Sequence, residues 1–158
     1  DIQRSRGLGD VYKRQGEIGF VGYSGGETSD GTKPEEAARF ATETNIDAMA
    51  ISVGNIHLQQ NKEGGLDEDR IKSIEMVSDV PLVIHGGSGV PLNQRIKLAR
   101  NSKICKFNIG TELRMAFGNA LRLSVNQDTK RFDRIQILKD THDPLVHATR
   151  EVISTLRR

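Results

Sequence analysis

Two histidines follow apolar segments of the chain at equivalent places, and both could ligate a metal ion. His57 comes shortly after the apolar residues 46–53, and His85 directly follows the apolar residues 80–84. A neutral imidazole is a good ligand for Zn²⁺, and a metal site at the end of a buried strand is held rigidly. A histidine at a strand end can also be a hydrogen-bonded structural residue, so the spacing leaves both interpretations open.

A glycine-rich sequence after His85 could bind a phosphate group. Gly86, Gly87, Ser88 and Gly89 combine backbone N–H groups that a ligand can approach closely with a hydroxyl that can donate. Asn108 lies at the end of the next apolar run, and Thr111 follows that run. Thr111 opens a strongly helical segment that would add a second cluster of donors. The alternative is a flexible loop that needs positive φ angles at several glycines.

Two glutamates near the start of the chain are further candidates. Glu17 occupies a predicted strand end in the sequence GEIG, and Glu27 follows a stretch that contains Gly22, Gly25 and Gly26. Such a stretch is typical of a mobile loop, which could close over a site and carry an acidic catalytic group. A solvated loop without a catalytic role is the simpler interpretation of Glu27 from the residues alone.

Alternating strands and helices would bring these residues together. Short apolar runs at 46–53, 80–84 and 104–109 are typical of parallel strands covered on both faces. Helical segments are predicted to begin near Pro34, Asp67, Pro91, Thr111 and Asp143. This alternation implies an α/β fold with right-handed crossovers and a parallel sheet. Because ligands bind at the carboxyl ends of such strands, we expect His57, His85 and Asn108 to lie close together.

Two architectures fit this alternation, an open doubly wound sheet and a (β/α)₈ barrel. A barrel typically needs about 250 residues, and this chain of 158 residues could form only about half of one. Half a barrel would leave two parallel strand edges unpaired, which soluble proteins avoid. The sequence therefore predicts either a small open sheet or part of a larger barrel.

Composition and charge argue against several classes of partner. The formal net charge is +2, and four basic and two acidic residues among the first 15 account for all of it. The neutral remainder predicts no nucleic-acid partner. No apolar run approaches the roughly 20 residues that cross a bilayer, which predicts no membrane partner.

The N-terminal residues and the cysteine content are informative as well. Residues 1–15 show neither helical nor strand periodicity, and we predict a non-native or disordered segment there. The single cysteine, Cys105, excludes an internal disulfide and favours a cytoplasmic location. Because Cys105 lies in an apolar run, we expect it to be a small core residue.

Four segments of the chain resemble the class II fructose- and tagatose-bisphosphate aldolases in sequence and in order. They are GEIGFVG at 16–22, SVGNIH at 52–57, VIHGGSGVP at 83–91 and KFNIGTEL at 106–113. The resemblance implies that residues 16–158 are the C-terminal half of a (β/α)₈ TIM barrel, from the end of strand 5 to strand 8. It implies zinc-dependent, reversible aldol cleavage of a ketose bisphosphate, of the fructose or tagatose 1,6-bisphosphate type. The products would be dihydroxyacetone phosphate and an aldehyde phosphate, and the full-length protein would be a homo-oligomer.

The resemblance also implies roles for individual residues. His57 and His85 would be two of the three zinc-binding histidines of the family, and Glu17 would match a glutamate near the metal, a third candidate ligand. Glu27 would lie near the acid of the family's mobile loop. Phosphate and substrate contacts would fall on Gly86, Ser88, Asn108 and Thr111.

Three departures from the family pattern limit what the chain can do. The third histidine and the catalytic aspartate of the family belong to an early N-x-D-H-like segment that this sequence lacks. We therefore predict that the chain alone is inactive. Leu58 replaces the usual glycine after the first histidine, and Gly110 replaces an aspartate that contacts substrate hydroxyls, which leaves the sugar specificity open.

Two other functions are compatible with the same residues. A metal-free phosphosugar isomerase or epimerase would use the glycine-rich loop but not the histidines. A non-catalytic phosphate-binding module would use the same loop with no chemistry at all. Loss of both zinc and activity in a His85→Ala variant of the complete protein would favour the aldolase over the metal-free isomerase or epimerase.

Overall fold

Four parallel strands form one sheet in the order β1-β2-β3-β4. The computed structural model describes residues 14–22, 30–55, 57–58 and 65–156. Within them the strands are β1 (Gln15–Ile18), β2 (Ala48–Ile51), β3 (Leu82–Ile84) and β4 (Ile104–Phe107). The predicted α/β class is confirmed, and each predicted strand is present but shorter than its apolar run. β1 begins at Gln15, one residue inside the predicted N-terminal segment, while residues 1–13 lie outside the described part.

Six α-helices in the described residues connect or follow the strands. They are α1 (Pro34–Thr44), α2 (Glu68–Val77), α3 (Leu92–Asn101), α4 (Thr111–Gln127), α5 (Arg134–Lys139) and α6 (His142–Leu156). Pro34 starts α1 at a position where no N–H is needed. Asp67 caps α2 by accepting a hydrogen bond from the backbone N–H of Arg70 at 2.9 Å. No helix in the described ranges is both long enough and apolar enough to cross a membrane.

The hydrophobic core lies between the sheet and helices α1 to α3. Alternate strand residues face these helices, among them Met49 and Ile51 of β2 and Leu82 and Ile84 of β3, all fully buried. The opposite face of the sheet carries small side chains at its centre and polar side chains at its margins. Its central residues Ala50 and Val83 are fully buried as well, and Glu17 pairs in register with Ala50. The centre of this face is therefore buried, whereas Glu17 and Lys106, which lie in the same row on the outer strands, are exposed.

Two features of the C-terminal half differ from the sequence-based expectations. Cys105 is exposed and is not a core residue. The pairing of β3 with β4 is irregular at this point, since Leu82 pairs with Ile104 and Val83 with Lys106, so Cys105 is an extra residue in a bulge. Helix α5 was not predicted because its apolar residues Ile135 and Leu138 are exposed and form no buried stripe.

Candidate functional site

His57 and His85 lie side by side at the carboxyl-terminal edge of the sheet. His85 directly follows β3, and His57 follows the loop that leaves β2. Their ring centroids are 5.9 Å apart with an angle of 45° between the ring planes. The backbone N–H of His57 donates to the carbonyl of Gly22 at 2.8 Å, which ties this loop to the segment after β1. The predicted meeting of the two histidines is therefore present in the structure.

A buried asparagine fixes the backbone between the two histidines. The Oδ1 atom of Asn55 accepts from the N–H of Val53 at 2.7 Å, and its Nδ2 atom donates to the carbonyl of His85 at 3.0 Å. Asn55 is only 4% exposed. One side chain thus holds the turn that leads to His57 and the strand end that carries His85. Sequence analysis did not single out Asn55, although a polar residue two positions before a candidate ligand was a usable signal.

Glu17 contacts one of the two imidazoles directly. Its Oε1 atom lies 2.9 Å from Nδ1 of His85, and the side chain of His85 is only 14% exposed. The Nε2 atom of the same imidazole lies 3.3 Å from Nε2 of Gln15. A carboxylate on one ring nitrogen of a histidine fixes the tautomer and the orientation of the ring. Among the described residues, no three His, Cys, Asp or Glu side chains are arranged to hold a metal ion.

The glycine-rich loop after His85 folds into a short 3₁₀ turn, Gly87–Gly89, that packs against the loop after β4. Gly86 has a φ of 65°, in the left-handed region that favours glycine. The N–H of Gly87 donates to the carbonyl of Asn108 at 3.0 Å. A Cβ atom on Gly87 would lie 3.2 Å from that same carbonyl oxygen. The two loops therefore approach each other as closely as their backbones allow.

The predicted phosphate-binding residues line one open cavity of about 460 Å³ beside the histidines. His57 also lines this cavity, and so does Arg114, which the sequence analysis missed. The missed signal was the position of Arg114 three residues after Thr111 in α4, because helix residues three apart lie on the same face. The other predicted residues in the cavity wall are Gly86, Ser88, Asn108 and Thr111.

Of the remaining sequence-based candidates, Leu58 is among the described residues and Glu27 is not. Leu58 lines the same cavity, is 51% exposed, and has a φ of 58°. This φ angle lies in the left-handed region that favours glycine, and it costs a non-glycine residue roughly 1–2 kcal/mol. Leu58 therefore has a strained backbone. Glu27 falls outside the described residues, and its catalytic role stays a prediction.

The far end of the loop that contains His57 is fixed by Gln94 of α3. The side chain of Gln94 accepts from the N–H of Leu66 at 2.7 Å and donates to its carbonyl at 2.8 Å. Hydrogen bonds from Lys97 and then from Gln94 lower the pKa of Glu68 below its usual 4.5. Glu68 is therefore ionised at neutral pH and joins the first turn of α2 to α3.

The family model described as fructose-bisphosphate aldolase class-II matches residues 14–158. The chain therefore belongs to the class II fructose-bisphosphate aldolase family, as the sequence resemblance indicated.

Solved structures show the same fold. The YdjI aldolase from Escherichia coli K12 is 26% identical, with a TM-score of 0.65 over 90% of this chain and 46% of that one. A proposed fructose-1,6-bisphosphate aldolase from Coccidioides immitis is 19% identical, with a TM-score of 0.72 over 97% and 53% of the two chains. Fructose-bisphosphate aldolase from Campylobacter jejuni is 22% identical, with a TM-score of 0.64 over 80% and 44%. The chain thus spans about half the length of the structures it matches.

Proposed function

We propose that this chain is the C-terminal half, about strands 5 to 8, of a (β/α)₈ barrel that cleaves a ketose bisphosphate. Family membership over residues 14–158 supports this proposal. The four strands are parallel and in sequential order, as successive strands of a barrel are. In such a barrel the remaining strands would pair with β1 and β4. We further propose that the third histidine and the catalytic aspartate come from that complementary half.

The two histidines have the chemistry and the spacing of zinc ligands. Two imidazoles on one tetrahedral zinc ion, with Zn–N bonds of about 2.0–2.1 Å, place their ring centroids roughly 5 Å apart. The observed separation of 5.9 Å is close to that value. His57 and His85 would therefore hold the ion together with a ligand from the complementary half. Glu17 would orient His85 through Nδ1, and its role as a direct ligand stays a prediction.

A bound zinc ion would supply a Lewis acid for the ketose carbonyl oxygen. The residues of this chain would place the substrate beside it. Gly86, Ser88, Asn108 and Thr111 would bind one phosphate with backbone amides, a hydroxyl, a side-chain amide and the positive end of α4. Arg114 would add a fixed positive charge at the same cavity. Glu17 would keep the proton of His85 on Nδ1.

The cavity also supports a proposal for the substrate class. Its wall combines anion donors with His57, and His85 lies beside His57, which fits a phosphorylated ketose whose products are dihydroxyacetone phosphate and an aldehyde phosphate. Gly110 lies in the wall where a family aspartate contacts substrate hydroxyls, so fructose and tagatose types both remain candidates. Assembly into a homo-oligomer and a cytoplasmic location stay predictions.

The single observation that carries the proposal is the proximity of His57 and His85 beside the phosphate-type cavity. Because the chain has four histidines, an imidazole ¹⁵N NMR spectrum reports on each of them. We expect zinc to shift the ring nitrogens of His57 and His85 together. His142 and His147, with side chains 73% and 75% exposed, are internal controls and should not shift. A His57→Ala variant should weaken the zinc response of His85. Equal shifts of all four imidazoles, or no shift of His57 and His85 when the complementary half is present, would contradict a zinc site here.

One observation favours a second candidate function, phosphate binding without catalysis. The described residues alone contain no three-ligand metal group, whereas the phosphate-type cavity is lined by all four predicted phosphate-binding residues. Titration with dihydroxyacetone phosphate separates the two. Binding that is unchanged by zinc, by a chelator and by His85→Ala would favour the non-catalytic function, while binding enhanced by zinc would favour the aldolase.

A further inference from the structure

A largely buried ion pair lies next to residues that line the phosphate-type cavity. Nη1 of Arg95, on α3, lies 2.9 Å from Oε2 of Glu112, in the first turn of α4. The side chain of Arg95 is 1% exposed and that of Glu112 is 24% exposed. The Nε atom of Arg95 is buried and has no hydrogen-bond partner within the described structure. The guanidinium is thus held by its charge-assisted hydrogen bond to Glu112 and by packing.

Glu112 is connected to the cavity through its own backbone. Its N–H donates to Oγ of Ser88 at 3.2 Å. Ser88 and Thr111 line the cavity, whereas neither Glu112 nor Arg95 does. Because Oγ of Ser88 accepts this amide hydrogen, the hydroxyl proton is available to donate to a ligand in the cavity. Glu112 therefore follows one proposed phosphate contact, Thr111, in the sequence and is hydrogen-bonded to another, Ser88.

The charge of Glu112 conflicts with the proposed ligand. A carboxylate in the first turn stabilises a helix, because it faces the positive end of the helix dipole. The same carboxylate repels a phosphate that binds at that helix end. We propose that Arg95 is a positioning residue that neutralises Glu112 and so allows the N-terminus of α4 and Ser88 to bind phosphate. This inference rests on the proposed phosphate site.

The inference predicts opposite effects for the two partners of one ion pair. Arg95→Met removes the positive charge that lies 2.9 Å from the carboxylate, and we expect inorganic phosphate to bind roughly 10-fold more weakly. Glu112→Gln leaves the guanidinium uncompensated, and we expect phosphate to bind several-fold more tightly. The double variant should bind within about 2-fold of the unmodified chain. An ion pair with a purely structural role would instead weaken phosphate binding in both single variants.

The test is calorimetric titration of the full chain with inorganic phosphate. Circular dichroism would identify variants that fail to fold, and Glu112→Gln carries the test even if Arg95→Met unfolds. Lys97→Met is the matched control, because Lys97 also lies on α3 and its Nζ atom is 2.7 Å from a carboxylate oxygen of Glu68. Neither Lys97 nor Glu68 lines the cavity. We expect no change in phosphate binding for this control.

The outcomes separate this inference from the proposed function. Tighter binding by Glu112→Gln supports the inference. If the unmodified chain binds phosphate and Glu112→Gln binds it equally or more weakly, the neutralising role is wrong and the phosphate site stands. If neither protein binds phosphate, both the inference and the proposed phosphate site are wrong.

Discussion

Replacing Gly87 with alanine tests the contact that joins the two loops of the candidate site. A Cβ atom at this position would lie 3.2 Å from the carbonyl oxygen of Asn108, 3.3 Å from Cβ of Phe107 and 3.4 Å from Cγ1 of Ile109. The Asn108 oxygen belongs to the backbone and the Phe107 atom is Cβ, so rotation of a side chain can move neither of them away. The loop after β4 would have to move by a few tenths of an ångström.

The expected cost follows from the type of contact. Forcing an extra methyl group into a packed site typically costs about 1–3 kcal/mol. Weakening the hydrogen bond from the Gly87 N–H to the Asn108 carbonyl, now 3.0 Å, would add to that cost. For a chain of this size the melting temperature should fall by roughly 3–10 °C. Phosphate binding should weaken as well, because Gly86 and Ser88 would be displaced from Asn108 and Thr111.

The assay is thermal unfolding of the full chain, followed by phosphate titration of the folded variant. Gly65→Ala is the matched control, because its nearest neighbour for a Cβ atom is Oε1 of Gln94 at 3.9 Å. We expect the free energy of unfolding of Gly65→Ala to lie within about 0.5 kcal/mol of that of the unmodified chain. If Gly87→Ala is equally stable and binds phosphate normally, the close packing of the two loops is not what forms the site.

Three further predictions concern strain, buried hydrogen bonds and pH. Leu58→Gly should raise the free energy of unfolding by up to about 1 kcal/mol by removing left-handed strain, and a lower denaturant midpoint would contradict this. Asn55→Ala should lower the free energy of unfolding by about 1–3 kcal/mol, because two buried backbone groups lose their hydrogen-bond partner. Asn119→Ala, on the surface of α4, should change the free energy of unfolding little. Hydrogen bonds from Ser124 and then Arg131 lower the pKa of Asp140 below its usual 3.8. Asp140 therefore stabilises the fold above pH 3.8, and this contribution is lost as the pH falls further. Unfolding curves of Asp140→Asn and of the unmodified chain should differ at pH 7 and converge near pH 2. An equal difference at both pH values would exclude this linkage.

The sequence predicted the parts of the fold that depend on local pattern. Apolar runs bounded by polar strand ends located β2, β3 and β4, and Pro34 and Asp67 located the starts of α1 and α2. The convergence of His57 and His85 followed from parallel pairing alone, since the strands that carry them are neighbours. The same reasoning located four of the residues that line the cavity with His57.

Features that depend on tertiary contacts could not be predicted in this way. The burial of Cys105 was wrongly predicted because an apolar run does not reveal a bulge in an edge strand. Arg95 was not singled out because a charged residue on a helix usually faces solvent, and its burial depends on Glu112, 17 residues later. Asn55 bonds the carbonyl of a residue 30 positions away. The bulge, the ion pair and the hydrogen bond each join parts of the chain that are distant in sequence and come together only in the folded structure.

The central claim is that this chain supplies half of an aldolase active site. The most direct test is to mix the purified chain with the complementary half-barrel of a class II aldolase, which carries the N-x-D-H-like segment, and to measure cleavage of fructose and tagatose 1,6-bisphosphate. We predict no turnover by either half alone and zinc-dependent turnover by the mixture. That turnover should be lost with a chelator, with His57→Ala or with His85→Ala, and retained with His142→Ala. Turnover that survives both the chelator and the loss of His85 would contradict the account.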